Sequence, residues 1–202
     1  MSVVLSWKKT KVKYEAGTDE AGRGCLAGPV VAAAVILGRK GSITGLNDSK
    51  KLSESKRNLL RWEIEKKALC WAVGIVSHER IDEINILNAS IEAMQVSLRQ
   101  LEIQPMHILV DGNKFKEYDA IPFSCEVKGD ARFASIAAAS ILAKTHRDEI
   151  MKKLSVEFPE YKWEKNKGYP SPEHIEAYKK FGLSKYHRKS FHLKSAQLEL
   201  PL

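Results

Sequence analysis

The residues most able to do chemistry lie in one run, Gly17-Thr18-Asp19-Glu20-Ala21-Gly22-Arg23-Gly24. Adjacent carboxylates repel, so setting Asp19 and Glu20 together at a strand end costs stability unless a cation binds there. A divalent metal meets that demand, and the glycines beside it let bare backbone N–H groups approach a ligand closely. Metal on one side and a backbone cradle on the other point to phosphate chemistry. Asp111 follows Ile108-Leu109-Val110 and precedes Gly112, and Asp130 follows Lys128-Gly129. A single Asp in such a place serves equally well as a turn former or helix cap. Four acids with no Cys or His partner select hard cations, Mg2+ or Mn2+, over zinc. Two such ions about 3.5–4 Å apart can activate a water and stabilise the leaving oxygen of a phosphodiester.

The elements that must position these acids follow from the apolar pattern. Residues 12–18 read as a strand delivering Asp19 and Glu20 to its end. Residues 29–37 form an unbroken apolar run, the signature of a buried strand. Residues 38–52 read as a loop. Ser53 suits the N-cap of a helix reaching about residue 67. A strand is expected at 71–76. Apolar residues at Leu87, Ile91, Met94, Leu98 and Leu101 predict an amphipathic helix over 86–101. Strands at 107–110 and 121–127 end at Asp111 and just before Asp130, and an alanine-rich helix is expected over 131–154. A last helix is expected over 173–181. This order gives an α/β domain with a sheet covered by helices, and ligands in such sheets gather at strand ends.

Composition agrees with a nucleic-acid partner. The 202 residues fit one domain of fair size and carry a formal net charge of +8. A basic surface favours polyanions, and the basic residues recur along the chain, as in Lys50-Lys51, Lys165-Asn166-Lys167 and His187-Arg188-Lys189. Three cysteines, Cys25, Cys70 and Cys125, are odd in number and lack metal-ligand spacing, which fits free thiols in a reducing cytoplasm. Cys25 beside the Gly-Arg-Gly turn reads first as a small buried residue. The opening residues are too short in apolar length for a signal peptide, and no apolar run is long enough to cross a membrane. A cytoplasmic, monomeric protein without membrane contact is expected.

Seven motifs in order carry a closer resemblance. They are Asp19-Glu20-Ala21-Gly22-Arg23-Gly24, residues 46–53, Asp111-Gly112-Asn113, Val127-Lys128-Gly129-Asp130, residues 138–144, Lys167-Gly168-Tyr169-Pro170 and residues 187–191. The chain resembles type 2 ribonuclease H, the bacterial ribonuclease HII family, from residue 16 to 191. The resemblance implies a ribonuclease H-like mixed sheet flanked by helices, with a small C-terminal helical part. It implies a catalytic domain over 1–190 and a flexible tail over 191–202. It further implies cleavage of the RNA strand of RNA–DNA hybrids and incision 5′ to a single ribonucleotide in duplex DNA, leaving 5′-phosphate and 3′-hydroxyl ends. Two divalent cations, Mn2+ or Mg2+, would be held by Asp19, Glu20, Asp111 and Asp130. The backbone of Gly22, Arg23 and Gly24 would read the 2′-hydroxyl, the only group that marks a ribonucleotide in DNA. Tyr169 would stack on the neighbouring sugar and bond the same hydroxyl. Asn47, Ser49, Lys50 and Lys51 would form a phosphate-contacting loop.

Lys144 is expected to face nucleic acid and Asp148 to be a solvated helix acid. His187 and Arg188 match the family's C-terminal signature, either as substrate contacts or as struts for the C-terminal part. The chain departs from the family at Asn166, where His is usual before Lys-Gly-Tyr. The closing Gln197-Leu198-Glu199-Leu200-Pro201-Leu202 is similar to the short peptide that bacterial replication proteins insert into the sliding clamp. The alternative is a tail that packs on its own domain or makes no contact. Two rival readings make different predictions. A proofreading-type exonuclease also uses four acids and two metals but would ignore internal ribonucleotides. A non-enzymatic basic binding module would show steep salt dependence without cleavage.

Overall fold

A strand with no polar residue must be covered on both faces. Such a strand is β2 (Val30–Ile36), buried along its whole length. The structure is a computed structural model and describes residues 5–38 and 43–191. The remaining strands are β1 (Glu15–Ala21), β3 (Cys70–Val76), β4 (His107–Asp111) and β5 (Phe123–Glu126). They form a five-stranded mixed sheet in the order β3-β2-β1-β4-β5. β1, β2 and β3 are antiparallel neighbours, whereas β4 and β5 run parallel to β1.

Successive side chains of β2 alternate between two cores, as the pleat requires. Val30, Ala32, Ala34 and Ile36 join the layer under α2 (His78–Arg99). Ala33 and Val35 join the layer under α1 (Glu54–Lys67) and α3 (Ala134–Glu157). The alanines keep the sheet thin, so α3 packs directly against β1 and β2. A smaller aromatic cluster holds α4 (Trp163–Asn166) and α5 (Pro172–Phe181) against the end of α3, with Tyr161, Trp163 and Met151 buried at its centre.

Most expected elements form, with two informative shifts. β1 runs three residues further than expected, because its pairing with β2 continues to Ala21↔Val31. Asp19 and Glu20 are therefore inside the strand and face opposite sides of it. The second helix begins at His78 rather than 86. Ser77 accepts a hydrogen bond from the Arg80 backbone N–H and starts a first segment, which breaks at Asn85 (φ 65°, ψ 163°). The Asn85 side chain then accepts from Leu87 N at 3.0 Å and Asn88 N at 3.2 Å, capping the second segment where the apolar periodicity begins. Ser53 caps α1 as expected, accepting from the Lys56 backbone N–H.

Candidate active site

The parallel strands bring three of the four acids to one edge. Thr18 pairs with Val110 in the parallel register, so Asp19 and Asp111 are the next residues outward on neighbouring strands. Asp111 in turn pairs with Glu126 on β5, and the chain leaves β5 through the tight turn Gly129–Ala131 that carries Asp130. The Asp111 Oδ1 accepts from the Gly129 N–H at 2.7 Å, which fastens that turn to β4.

These acids are held where charge is costly. Asp19 is buried, and burial, followed by the charges of Glu20 and Asp111, pushes its carboxyl well above the usual range. Its Oδ1 accepts from the Glu20 backbone N–H at 2.7 Å, and its side chain also bonds Ser140 on α3. Burial likewise raises Glu20, opposed by Arg23, whose guanidinium donates to Glu20 Oε1 at 3.1 Å. Among the described residues, the buried Glu20 Oε2 has no hydrogen-bond partner. Asp130 is raised by burial, then by Asp111 and Asp48, with Lys50 opposing. A buried, unpartnered carboxylate oxygen beside mutually repelling acids is a donor set that suits a cation. Among the described residues, no three acidic, histidine or cysteine side chains close into a ready-made metal cage. An all-oxygen donor set suits hard ions that keep waters and take only one or two protein carboxylates.

The Gly-Arg-Gly turn is built by two buried arginines. Gly22 has φ +98°, and a Cβ there would lie 2.0 Å from Arg147 Nε, so only glycine fits. Arg147, on α3, donates to the carbonyls of Pro29 at 2.9 Å, Lys167 at 2.8 Å and Ala27 at 3.0 Å. Arg188 donates to Gly28 O at 3.0 Å, Arg23 O at 3.0 Å, Gly22 O at 2.7 Å and Pro29 O at 3.2 Å. Both side chains are 1% exposed. Burial lowers the Arg188 pKa to about 10, leaving it cationic at neutral pH. Among the described residues, no acid forms an ion pair with either guanidinium. Backbone carbonyls satisfy them, and the chain from Gly22 to Pro29 is wrapped around them.

Tyr169 is brought beside this turn. Leu26 N donates to Gly168 O at 2.8 Å. A Cβ on Gly168 (φ +82°) would lie 2.7 Å from Ala27 O, so the two segments touch only because this residue is glycine. Tyr169 stays 38% exposed. The Lys144 Nζ and the Arg147 guanidinium each lie 5.8 Å from its centroid. Burial and then the Cys25 thiol push the phenol up to about 12. Cys25 itself is buried and bonded to Lys167 O at 3.7 Å.

The remaining expected residues fall into two groups. Lys50 is exposed next to Asp130, and Asn47 is half-buried, its Oδ1 accepting from Asp48 N at 2.8 Å. Ser49 points inward, buried, with its hydroxyl 2.9 Å from that of Ser140. Asp148 is not a solvated acid. It is 6% exposed and receives Lys144 Nζ at 2.6 Å, since α3 turns this face against α1 and Lys167 rather than to water. Asn166 accepts from Gly168 N at 2.8 Å and donates to Tyr161 O at 2.7 Å, so it shapes the turn before Tyr169. The structure also singles out Arg147, Ser140 and His174, which local spacing did not mark. Arg147 and Ser140 act through segments distant in sequence, residues 27–29 and Ser49, whereas His174 acts through Trp163, Tyr169 and His187, which only the folded C-terminal part brings together. The tail peptide from Gln197 to Leu202 lies outside the described residues.

A family model described as Ribonuclease HII matches residues 16–194. The chain belongs to the ribonuclease HII family. The Ribonuclease HII of Christiangramia forsetii is 56% identical over 197 residues, covering 98% of this chain and 99% of that one. Among solved structures, the ribonuclease H2 from Pyrococcus horikoshii OT3 superimposes with a TM-score of 0.73 at 29% identity, covering 92% and 97% of the two chains. A ribonuclease HII from Archaeoglobus fulgidus, solved in complex with PCNA, also gives 0.73 at 29% identity over 90% of this chain and 96% of its own. Ribonuclease HII membership makes the protein a ribonuclease H endonuclease acting on nucleic acid, in a family that depends on divalent metal. Its mixed sheet is the ribonuclease H-like α/β fold. Among the described residues, no helix is long and apolar enough to cross a membrane.

Proposed function

We propose that the enzyme cleaves the RNA strand of RNA–DNA hybrids and incises 5′ to single ribonucleotides in duplex DNA by a two-metal route, leaving 5′-phosphate and 3′-hydroxyl ends. The observation that carries the reading is the juxtaposition of a charge-starved acid edge with the arginine-wrapped turn Gly22-Arg23-Gly24. Asp19, Glu20, Asp111 and Asp130 would hold two divalent cations, Mg2+ or Mn2+. Bound there, the ions supply an activated water and stabilise the leaving 3′ oxygen.

The protein's own part is binding and selection. Arg188 draws in the carbonyls of Gly22 and Arg23, fixing a turn with no side chain at Gly22 or Gly24 to block a sugar. Backbone groups then meet the 2′-hydroxyl where a deoxyribose offers nothing to bond. Tyr169, partly exposed, stacks on the adjacent sugar and presents its hydroxyl, which remains protonated at neutral pH because its pKa is about 12. Lys50 and Asn47 steer the phosphate backbone, while Ser49 supports that loop from beneath through Ser140. The +8 net charge strengthens encounter with the polyanion. We place the enzyme in the cytoplasm as a monomer, a location supported by its free cysteines. We also assign the tail peptide from Gln197 to Leu202 to a sliding clamp, supported by its spaced leucines and by the PCNA complex of the Archaeoglobus relative.

The test is a duplex carrying one ribonucleotide, incubated with Mg2+, with Mn2+ and with EDTA, the ends then mapped. Metal-dependent 5′-phosphate and 3′-hydroxyl ends at the junction support the proposal. Ends of the opposite polarity, or cleavage in EDTA, would remove it.

A further inference from the structure

Behind Tyr169 lies a closed chain of buried donors and acceptors that the catalytic reading does not use. His174 and His187 are 0% and 1% exposed, and their Nε2 atoms are 3.1 Å apart. The tautomers follow from the partners. The Trp163 indole can only donate, and it reaches His174 Nε2 at 3.0 Å, so that nitrogen accepts. The proton of a neutral His174 therefore sits on Nδ1, which donates to Tyr169 O at 2.9 Å. The Ser184 backbone N–H can only donate, and it reaches His187 Nδ1 at 2.9 Å. His187 therefore carries its proton on Nε2 and gives it to His174 Nε2, which the indole also approaches. Packing locks both rings: Tyr161 stacks on Trp163 with centroids 5.2 Å apart and meets His187 edge-on at 4.7 Å.

We propose that His174 is a positioning residue for ribonucleotide recognition, holding the backbone of Tyr169 through a relay of two neutral imidazoles that starts at Trp163 and the Ser184 N–H. The relay is continuous with the other recognition element. His187 precedes Arg188, whose guanidinium holds Gly22 O and Arg23 O, and Arg188 N donates to Leu26 O at 2.8 Å. One dipeptide therefore sets the relative register of Tyr169 and the Gly-Arg-Gly turn. A sugar read by both needs that register fixed, because small misplacements at a recognition site cost rate steeply. The inference rests on the reading of Tyr169 as a sugar contact given above.

Two substitutions separate positioning from packing. In His174→Asn the side-chain amide N–H lies near the place of Nδ1 and still donates to Tyr169 O. In His174→Gln the amide reaches the place of Nε2, satisfies Trp163 and His187, and leaves Tyr169 O with the Ser171 N–H alone, 2.8 Å away. Incision kcat/KM at a lone ribonucleotide should fall about tenfold in the Gln variant, the scale of one lost positioning hydrogen bond, and stay close to wild type in the Asn variant. Affinity for plain duplex should be unchanged in both. In the wild-type enzyme, 15N-resolved imidazole NMR should show His174 protonated at Nδ1 and His187 at Nε2. The opposite tautomer at His174, or equal losses in the two variants, overturns the proposal. A Tyr169→Ala enzyme with undiminished incision instead overturns the underlying reading of Tyr169, and the NMR tautomers tell that failure apart from failure of the relay.

Discussion

Arg188→Ala strikes the recognition turn without touching an acid. In the native protein four carbonyls receive this guanidinium. Pro29 O would keep its bond from Arg147 Nε at 2.9 Å, and Gly22 O a long one from Cys25 N at 3.4 Å. Arg23 O and Gly28 O would lose the bonds described for them. The buried Gly28 carbonyl, orphaned, costs roughly 1–3 kcal/mol, whereas the carbonyl of the exposed Arg23 can turn to water. Burying the cation is itself unfavourable, as its pKa of about 10 records, and truncation relieves that part. The net expectation is a destabilisation of about 1–2 kcal/mol, within the usual 5–15 kcal/mol stability of a domain. The variant should therefore fold but hold the turn loosely. Urea unfolding should show an earlier midpoint. Incision at a lone ribonucleotide, measured where the variant is fully folded, should fall at least about tenfold, since a group displaced by an ångström or so costs orders of magnitude in rate. Arg188→Lys should recover little, because an ammonium lacks the planar fork that reaches several carbonyls at once. An Arg188→Ala enzyme with an unshifted midpoint and wild-type incision would refute the reasoning.

Other consequences follow from the same geometry. Asp19→Asn and Asp111→Asn should abolish cleavage while hybrid binding survives, checked by gel cleavage beside a binding titration; turnover with metal supplied would sink the two-metal assignment. Because the folded state raises the Asp19 carboxyl above 3.8, metal-free stability should be fully present below that unfolded value and fall as pH climbs through the folded pKa. Asp19→Asn should therefore raise the metal-free Tm at pH 7, and added Mg2+ should raise the wild-type Tm more than the variant's. Tyr169→Ala should weaken incision at a lone ribonucleotide more than affinity for plain duplex, and equal losses would exclude a role in reading the sugar. Burial, then His174, lowers His187 from 6.5 to about 4. The folded state resists protonating it, so its contribution is intact above about 6.5 and is lost as pH falls toward about 4. A pH series of urea midpoints should show His187→Gln flattening that acid limb; an identical slope in both proteins would contradict the assignment.

Local chemistry made much of this protein legible and long-range contact hid the rest. The apolar run of β2, the Ser53 cap and the strand-end position of Asp111 are short-range signals, and each appears in the structure where the sequence puts it. The strand end at Asp19 is displaced because pairing with β2, not the composition of residues 12–18, decides how far β1 runs. The first segment of α2 was invisible to periodicity. Ser77-His78-Glu79-Arg80 is polar, and its helix depends on a cap and on burying Ile81. Asp148 reads as a surface acid until α3 is seen to bury that face, where Lys144 pairs with it. The arginine cage and the histidine relay are the hardest to read. Arg147 and Arg188 donate to carbonyls more than a hundred residues away in sequence, and carbonyls carry no residue-type signal. From sequence, Arg188 reads as a substrate contact or a strut for the C-terminal part; the structure buries it against the carbonyls of Gly22 and Arg23, a contact neither alternative named.

The central claim is that one short turn reads a hydroxyl beside the acids that cut. It is tested most directly with matched duplexes that differ only at one sugar: ribose, deoxyribose or 2′-O-methylribose, each incubated with Mg2+ and mapped at nucleotide resolution. A single cut 5′ to the ribose, absent from the other two duplexes, is the predicted result. Equal cleavage of the deoxyribose duplex, or a cut whose position ignores the ribose, would contradict the account.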